Sequence, residues 1–472
     1  MNWLKNNLDR VLYILTLFLF AFIPLYPKFP LLNISGTYVA VRLEDLLIGL
    51  TLALWIWYLI INKNFSFFTK DNIGRSFILF FAIGCLSLFS GIFLTHSVVP
   101  HLGLLHLFRR IEFMLLLPVI ATVFTTRKRF MTALMVLVMT LAAVNIFALG
   151  QKYLDWPVIS TTNSEFAKGL PLKLTPGARV NSTFAGHYDL AVFLDMALIL
   201  LTTLIFAFRK LIKPMFLILG VVSTLVLVMT AARVSFIAAF VGLIAALILS
   251  KKKKYLLLLV IIAMAIAVYP SQLRDRFIST VTINLLDLGQ RYEGRNLNQQ
   301  LENKLNIPTL YYRISSRSAT GASFASPTAG IPIDIAPGEP INVTDLGVYR
   351  SFEIRLNIEW PRAVNAFLKN PFLGTGYASL GIATDNDFLR SLGEVGILGT
   401  TAFILVLLSI WKTIYKGIKS DEKIIRFFSA GSLSIIIVFL INSVFIDVFE
   451  ASKVAALLWM ILGLNIGLIR NK

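Results

Sequence analysis

Twelve mostly apolar runs, near positions 11–26, 43–61, 76–95, 104–125, 130–149, 188–208, 214–231, 233–250, 255–270, 392–411, 427–446 and 451–469, constrain this chain more than anything else in it. Runs of roughly 17–25 apolar residues are long enough to cross a hydrocarbon core about 30 Å thick as helices. The expected fold is therefore an all-α polytopic integral membrane protein with about twelve transmembrane helices. Composition agrees: 57% of the 472 residues are hydrophobic, against roughly 45–50% apolar in soluble domains. The first run, Val11 to Pro24, lacks a small-residue cleavage site and is read as a retained first span. The single cysteine, Cys85, lies in an apolar run, which precludes an intrachain disulfide and reads as a buried bystander.

The formal charge of +19 is mostly a topology signal rather than a nucleic-acid surface. Lys63, Lys70 and Arg75, then Arg127-Lys128-Arg129, Arg209-Lys210 with Lys213, Lys251 to Lys254, and Lys412 to Arg426 all fall on one side. The positive-inside rule makes that side cytoplasmic. Lys5, Arg10, Arg470 and Lys472 put both termini there too, as an even number of spans requires. The expected division is a membrane domain of about nine spans over 1–270, a large external loop over 271–389 and a three-span membrane domain over 390–472. Within that loop, 315–345 is rich in Ser, Gly, Ala, Thr and Pro and reads as extended; its Asn342-Val343-Thr344 triplet reads as a chance glycosylation match. The two halves do not mirror each other, which argues against an inverted-repeat transporter.

A second set of arginines remains once the cytoplasmic clusters are set aside. Arg109 and Arg110 lie inside the fourth run near Glu112, Arg179 precedes the sixth, and Arg233 occupies the tight turn between the seventh and eighth. Arg355 and Arg362 fall in the long loop, and Arg390 at the mouth of the tenth run. An ionisable group at membrane depth costs at least ~2.5–3.5 kcal/mol, so each is a functional candidate. Glu112 is an available partner for Arg109 or Arg110, and Asp387 or Glu394 for Arg390 at helical spacing. Arg233 has no evident partner within so short a turn. Converging guanidinium groups suit a polyanion presented from the bilayer, because Arg is planar, permanently charged and bidentate toward phosphate. A polyprenyl diphosphate fits that description.

From Arg355, apolar Leu356, Trp360, Val364 and Phe367 recur at helical spacing, with Arg355, Glu359 and Arg362 opposite them. The spacing predicts an amphipathic helix near 353–369 on the outer surface, with Pro361 kinking it or opening its second half. Asn370-Pro371 ends it, and Gly374 and Gly376 permit the turn that follows. Asp385-Asn386-Asp387 then admits three readings. It is a metal-binding D-x-D, a helix cap with Thr384 and Asp387 forming a capping box, or a catalytic carboxylate in which Asp385 takes a proton from an acceptor hydroxyl.

These residues resemble the O-antigen ligase/polymerase family of membrane glycosyltransferases. The resemblance is carried by Arg179 to Phe193, Thr230-Ala231-Ala232-Arg233, the Arg355 to Gly376 segment, and Asp385-Asn386-Asp387-Phe388-Leu389 with Glu394 to Gly399. It implies transfer of a glycan from undecaprenyl diphosphate to an acceptor hydroxyl, with inversion and with neither metal nor other cofactor. Arg233 and Arg355 match the family's diphosphate-binding arginines, with Arg179 and Arg110 as further candidates, and Asp385 stands as the catalytic residue. The implied partners are a lipid-linked glycan donor, a glycan or lipid acceptor, membrane lipid, a flippase and a chain-length regulator. Ligases carry a His-Asn pair where this chain has Asp385-Asn386, a departure that favours the polymerase-like branch. His187, Arg109, Glu394 and Asp195 are secondary candidates, His187 as a substitute base. A transporter or flippase of lipid-linked sugars is the reading from another class, with Glu112, Asp189 and Asp195 as its coupling residues.

Overall fold

The structure is a computed structural model describing residues 2–34, 40–158, 173–174, 178–282, 354–381 and 383–470. Its helices are α1 (Asn2–Leu25), α2 (Leu43–Asn62), α3 (Ser66–Lys70), α4 (Asn72–Phe93), α5 (Pro100–Val123), α6 (Arg127–Tyr153), α7 (His187–Leu204), α8 (Lys213–Met229) and α9 (Arg233–Leu249). There follow α10 (Leu256–Val268), α11 (Gln272–Thr282), a π-helical turn (Arg355–Glu359), α12 (Trp360–Lys369), α13 (Asp387–Ile418), α14 (Lys423–Asn442) and α15 (Ser452–Arg470). Between α1 and α2, β1 (Pro30–Asn33) pairs antiparallel with β2 (Ala40–Arg42).

Every one of the twelve apolar runs lies in a helix. Among the described residues eight helices are long and apolar enough to cross a membrane, or nine if α10 and α11 form one bent span. The helices outside that set have physical reasons to be so. α5 is interrupted by Arg109, Arg110 and Glu112, while α8 and α9 have 17 residues each. The large loop's 283–353, with the 315–345 stretch and Asn342, falls outside the described residues. Cys85 is exposed on α4 rather than buried.

Local chemistry sets the boundaries. Asp71 caps α4 by accepting from Ile73 N at 2.9 Å, and Thr126 caps α6 by accepting from Arg129 N at 3.3 Å. Pro270 cannot continue α10, and the chain turns through 87° into α11. At the centre, α15 is buried nearly all round and packs on α5, where Gly463 and Gly467 sit against the Leu117, Ala121 and Phe124 backbone. Small residues of this kind let membrane helices approach closely. α13 packs on α4, and α14 lies between α7 and α9.

One long helix is broken on purpose. Gly396 interrupts α13 with φ 64° and ψ −170°, and residues 371–376 lie across the break. Thr375 N and Gly376 N donate to the carbonyls of Gly393 (2.8 Å) and Glu394 (2.9 Å), while Ile397 N and Leu398 N donate to those of Pro371 (2.9 Å) and Phe372 (3.2 Å). A Cβ on Gly374 or Gly396 would strike the backbone of the opposite strand of this joint. The Pro371-Phe372-Leu373-Gly374-Thr375-Gly376 and Glu394-to-Gly399 motifs are thus two halves of one joint, which fixes where α13 breaks.

Candidate active site

Four segments bring basic side chains to one end of the bundle. The first is the loop entering α7, pinned to α6: Gln151 accepts from Ser182 N at 2.7 Å and donates to Ser182 O at 2.9 Å. Ser182 Oγ donates to Val144 O at 2.7 Å. This loop presents Arg179, whose Nη1 lies 2.6 Å from His187 Nε2. A guanidinium only donates, so Nε2 is the unprotonated, accepting nitrogen of that ring.

The second and third segments meet at Arg233. The turn before α9 has Ala231 in the left-handed region at φ 50°, and Thr230 Oγ1 closes it by donating to Leu227 O at 2.6 Å. Arg233 finds its partners on α11, donating to Thr280 Oγ1 and to the Arg276 carbonyl. The bend between α10 and α11 thereby carries Arg276 into the cluster.

The π-helical turn supplies the fourth. Arg355 is buried and donates to Asp385 Oδ2 at 2.7 Å. The Tyr188 hydroxyl accepts from both Arg179 and Arg355 and lies in the field of Arg276, so one phenol ties the segments together. Burial, with Arg276 and Arg233 nearby, lowers the Arg179 pKa to about 10. Pro361 falls in the first turn of α12 and opens its second half, as expected. Leu356, Val364 and Leu368 are exposed, as on an interfacial helix, whereas Trp360 and Phe367 are half-buried and Ala363 is buried. Arg362 holds the next loop by donating to Leu380 O at 3.1 Å.

Asp385 sits in a constrained loop with φ 50°, a conformation disfavoured for a residue with a Cβ. Asp447 enforces it: its carboxylate accepts from Thr384 N (2.8 Å), Asn386 N (3.1 Å) and Arg390 Nη1 (2.8 Å). The cap of α13 is Asn386, which accepts from Leu389 N at 2.9 Å, rather than Thr384. The Asp385 carboxylate instead points at Arg355, with its side chain 34% exposed, so an incoming hydroxyl can reach it. Burial raises the Asp385 pKa above the usual aspartate range against the opposing pull of Arg355. Glu359, one turn beyond Arg355, is raised to about 7 by burial and by Asp385.

The remaining candidates lie elsewhere. Arg110 is bonded to Glu450 and to the Phe449 carbonyl. Glu394 accepts from Ala378 N at 3.2 Å and faces Arg390 Nε at 3.5 Å. Arg109 pairs with Asp45 at 3.4 Å, so neither arginine uses Glu112, whose Oε1 has no hydrogen-bond partner among the described residues. Asp195 is fully buried, with Asn442 Nδ2 donating to it at 3.3 Å, and Asp189 pairs with Lys28 at 3.6 Å. The structure therefore gathers Asp385, Arg355, Arg179, Arg233 and His187 and leaves Arg110, Arg109, Glu394 and Asp195 outside. Arg276, Tyr188 and Asp447 were not singled out by sequence reasoning. Arg276 was detectable as a basic residue just beyond a proline-ended apolar run, and Asp447 as an acid in the short turn between two apolar runs.

The fold and this cluster define a multi-pass helical membrane protein with an arginine-rich site facing one side of the bundle. Residues 218–404 match the family model described as O-antigen ligase, so the resemblance to the O-antigen ligase/polymerase family is shown over that segment. It contains Arg233, Arg276, Arg355 and Asp385. No curated protein matches the chain.

Proposed function

We propose that the protein is a polymerase-like glycosyltransferase of the cytoplasmic membrane that acts at its outer face, with both termini inside. It extends a surface polysaccharide by transferring a glycan from an undecaprenyl-diphosphate-linked oligosaccharide to an acceptor hydroxyl with inversion. The observation that carries this reading is the grouping of Arg179, Arg233, Arg276 and Arg355 around Tyr188, with Asp385 bonded to one of them.

The acceptor oxygen attacks the anomeric carbon as the bond from that carbon to the diphosphate oxygen breaks, and the electron pair leaves with the diphosphate. The arginines stabilise that developing charge, the role a metal ion plays in other transferases. Asp385 takes the acceptor's proton. Arg355 couples the two tasks: an arriving diphosphate competes for its guanidinium and releases Asp385 Oδ2 to act as base. His187 is less suited to that work because its accepting nitrogen is held by Arg179.

The alternatives within the family are an O-antigen ligase or a protein O-oligosaccharyltransferase. One observation favours transport instead, the Asp195 carboxylate buried two turns inside α7. Mass spectrometry of products, after the purified protein meets undecaprenyl-diphosphate oligosaccharide with a chelator present, separates these readings. Products of two or more repeat lengths are expected. Transfer only onto a separate acceptor would indicate a ligase, and unchanged substrate with every acceptor would overturn the reading in favour of transport.

A further inference from the structure

At the opposite end of α13 from Asp385, a groove of about 790 Å³ opens between α3, the start of α4 and the ends of α13 and α15. Its walls carry Lys70, Lys412, Lys416 and Arg470, with Phe67 and Ile469 among the apolar lining. The one acid in the groove, Asp71, is already engaged by Arg470 and by the α4 cap. The ammonium groups of Lys70, Lys412 and Lys416 make no ion pair or hydrogen bond among the described residues.

Topology alone accounts for basic residues near this end of the bundle. It does not account for their convergence. Lys412 and Lys416 stand four apart on the body of α13, a like-charge spacing that disfavours the helix, and Lys70 joins them from α3. Basic pockets between helices at a membrane surface match the headgroups of anionic lipids.

We infer that this groove binds a phosphate-bearing anion, the headgroup of an anionic phospholipid or free phosphate, at a site separate from the arginine cluster and independent of the reaction proposed above. Native mass spectrometry of the full-length, delipidated protein, titrated with phosphatidylglycerol, phosphatidylcholine or inorganic phosphate, tests it. Phosphatidylglycerol is expected to be retained in preference to phosphatidylcholine. Each lysine replaced among Lys70→Gln, Lys412→Gln and Lys416→Gln should weaken retention roughly fivefold. The double variant Lys252→Gln/Lys254→Gln, on a different basic loop, should behave as wild type. Persistence of the lipid complex in excess inorganic phosphate assigns the site to the headgroup; saturable phosphate binding without lipid, lost in Lys412→Gln/Lys416→Gln, assigns it to free phosphate. Equal retention of the two lipids with no phosphate binding would overturn the inference. So would ligand retention unchanged in Lys412→Gln/Lys416→Gln, or reduced as much by the control variant.

Discussion

Two charged regions lie side by side at the mouth of this bundle, and their bookkeeping differs. The guanidinium groups of Arg179, Arg233, Arg276 and Arg355 gather around Tyr188, with Asp385 bonded to Arg355 and Glu359 beside that pair. Behind them, Arg110 and Arg390 are surrounded by Glu394, Asp447, Glu450 and Asp387. In the second region each arginine is tied to carboxylates within the cluster and so holds geometry. The first carries an excess of positive charge that a dianionic ligand would neutralise. Asp447 joins the two, because the carboxylate that anchors Arg390 also shapes the loop bearing Asp385.

The contrast can be broken at either region. Asp385→Asn keeps the shape of the loop but removes the base, so turnover should fall by roughly 10²–10⁴-fold while the thermal unfolding midpoint moves little. Arg390→Ala should do the reverse. Leaving buried carboxylates unpaired costs about 3–5 kcal/mol, which would appear as low yield and a depressed unfolding midpoint in detergent; a stable variant that only loses turnover would place Arg390 in the reactive site. Arg355→Ala should lower transfer by about 10²–10³-fold, as loss of one oxyanion donor does, with expression and membrane insertion retained.

The smallest effect concerns pH. Glu359 is uncharged below about 7 and negative above it, so its ionisation subtracts from the positive field of the cluster. The donor KM should rise by several-fold as pH passes upward through about 7. Glu359→Gln should flatten that rise, and a KM profile identical to wild type would remove Glu359 from the site.

Much of this was legible in the residues, for identifiable reasons. Apolar runs must become helices in a membrane, and helices form at all twelve, though among the described residues eight or nine are long and apolar enough to span. Arg233 stood out because unexplained charge at the membrane is conspicuous, whereas Arg355 and Asp385 stood out in the long loop through helical spacing and the Asp385-Asn386-Asp387 triplet. Partners were harder, since they come from distant sequence. Arg233 reaches Thr280 on α11 and Arg110 reaches Glu450, across 47 and 340 positions. The α13 cap also escaped, because Thr384, Asn386 and Asp387 are all plausible caps by type and only the bonds made by Asp447 single out Asn386.

The most direct test of the central claim is the affinity of the purified protein for farnesyl diphosphate, a short probe carrying the same headgroup linkage, compared with farnesyl monophosphate. The account predicts tighter binding of the diphosphate and a loss of at least tenfold in Arg355→Gln and in Arg233→Gln. Equal affinity for the two probes, or binding unaffected by both substitutions, would contradict it.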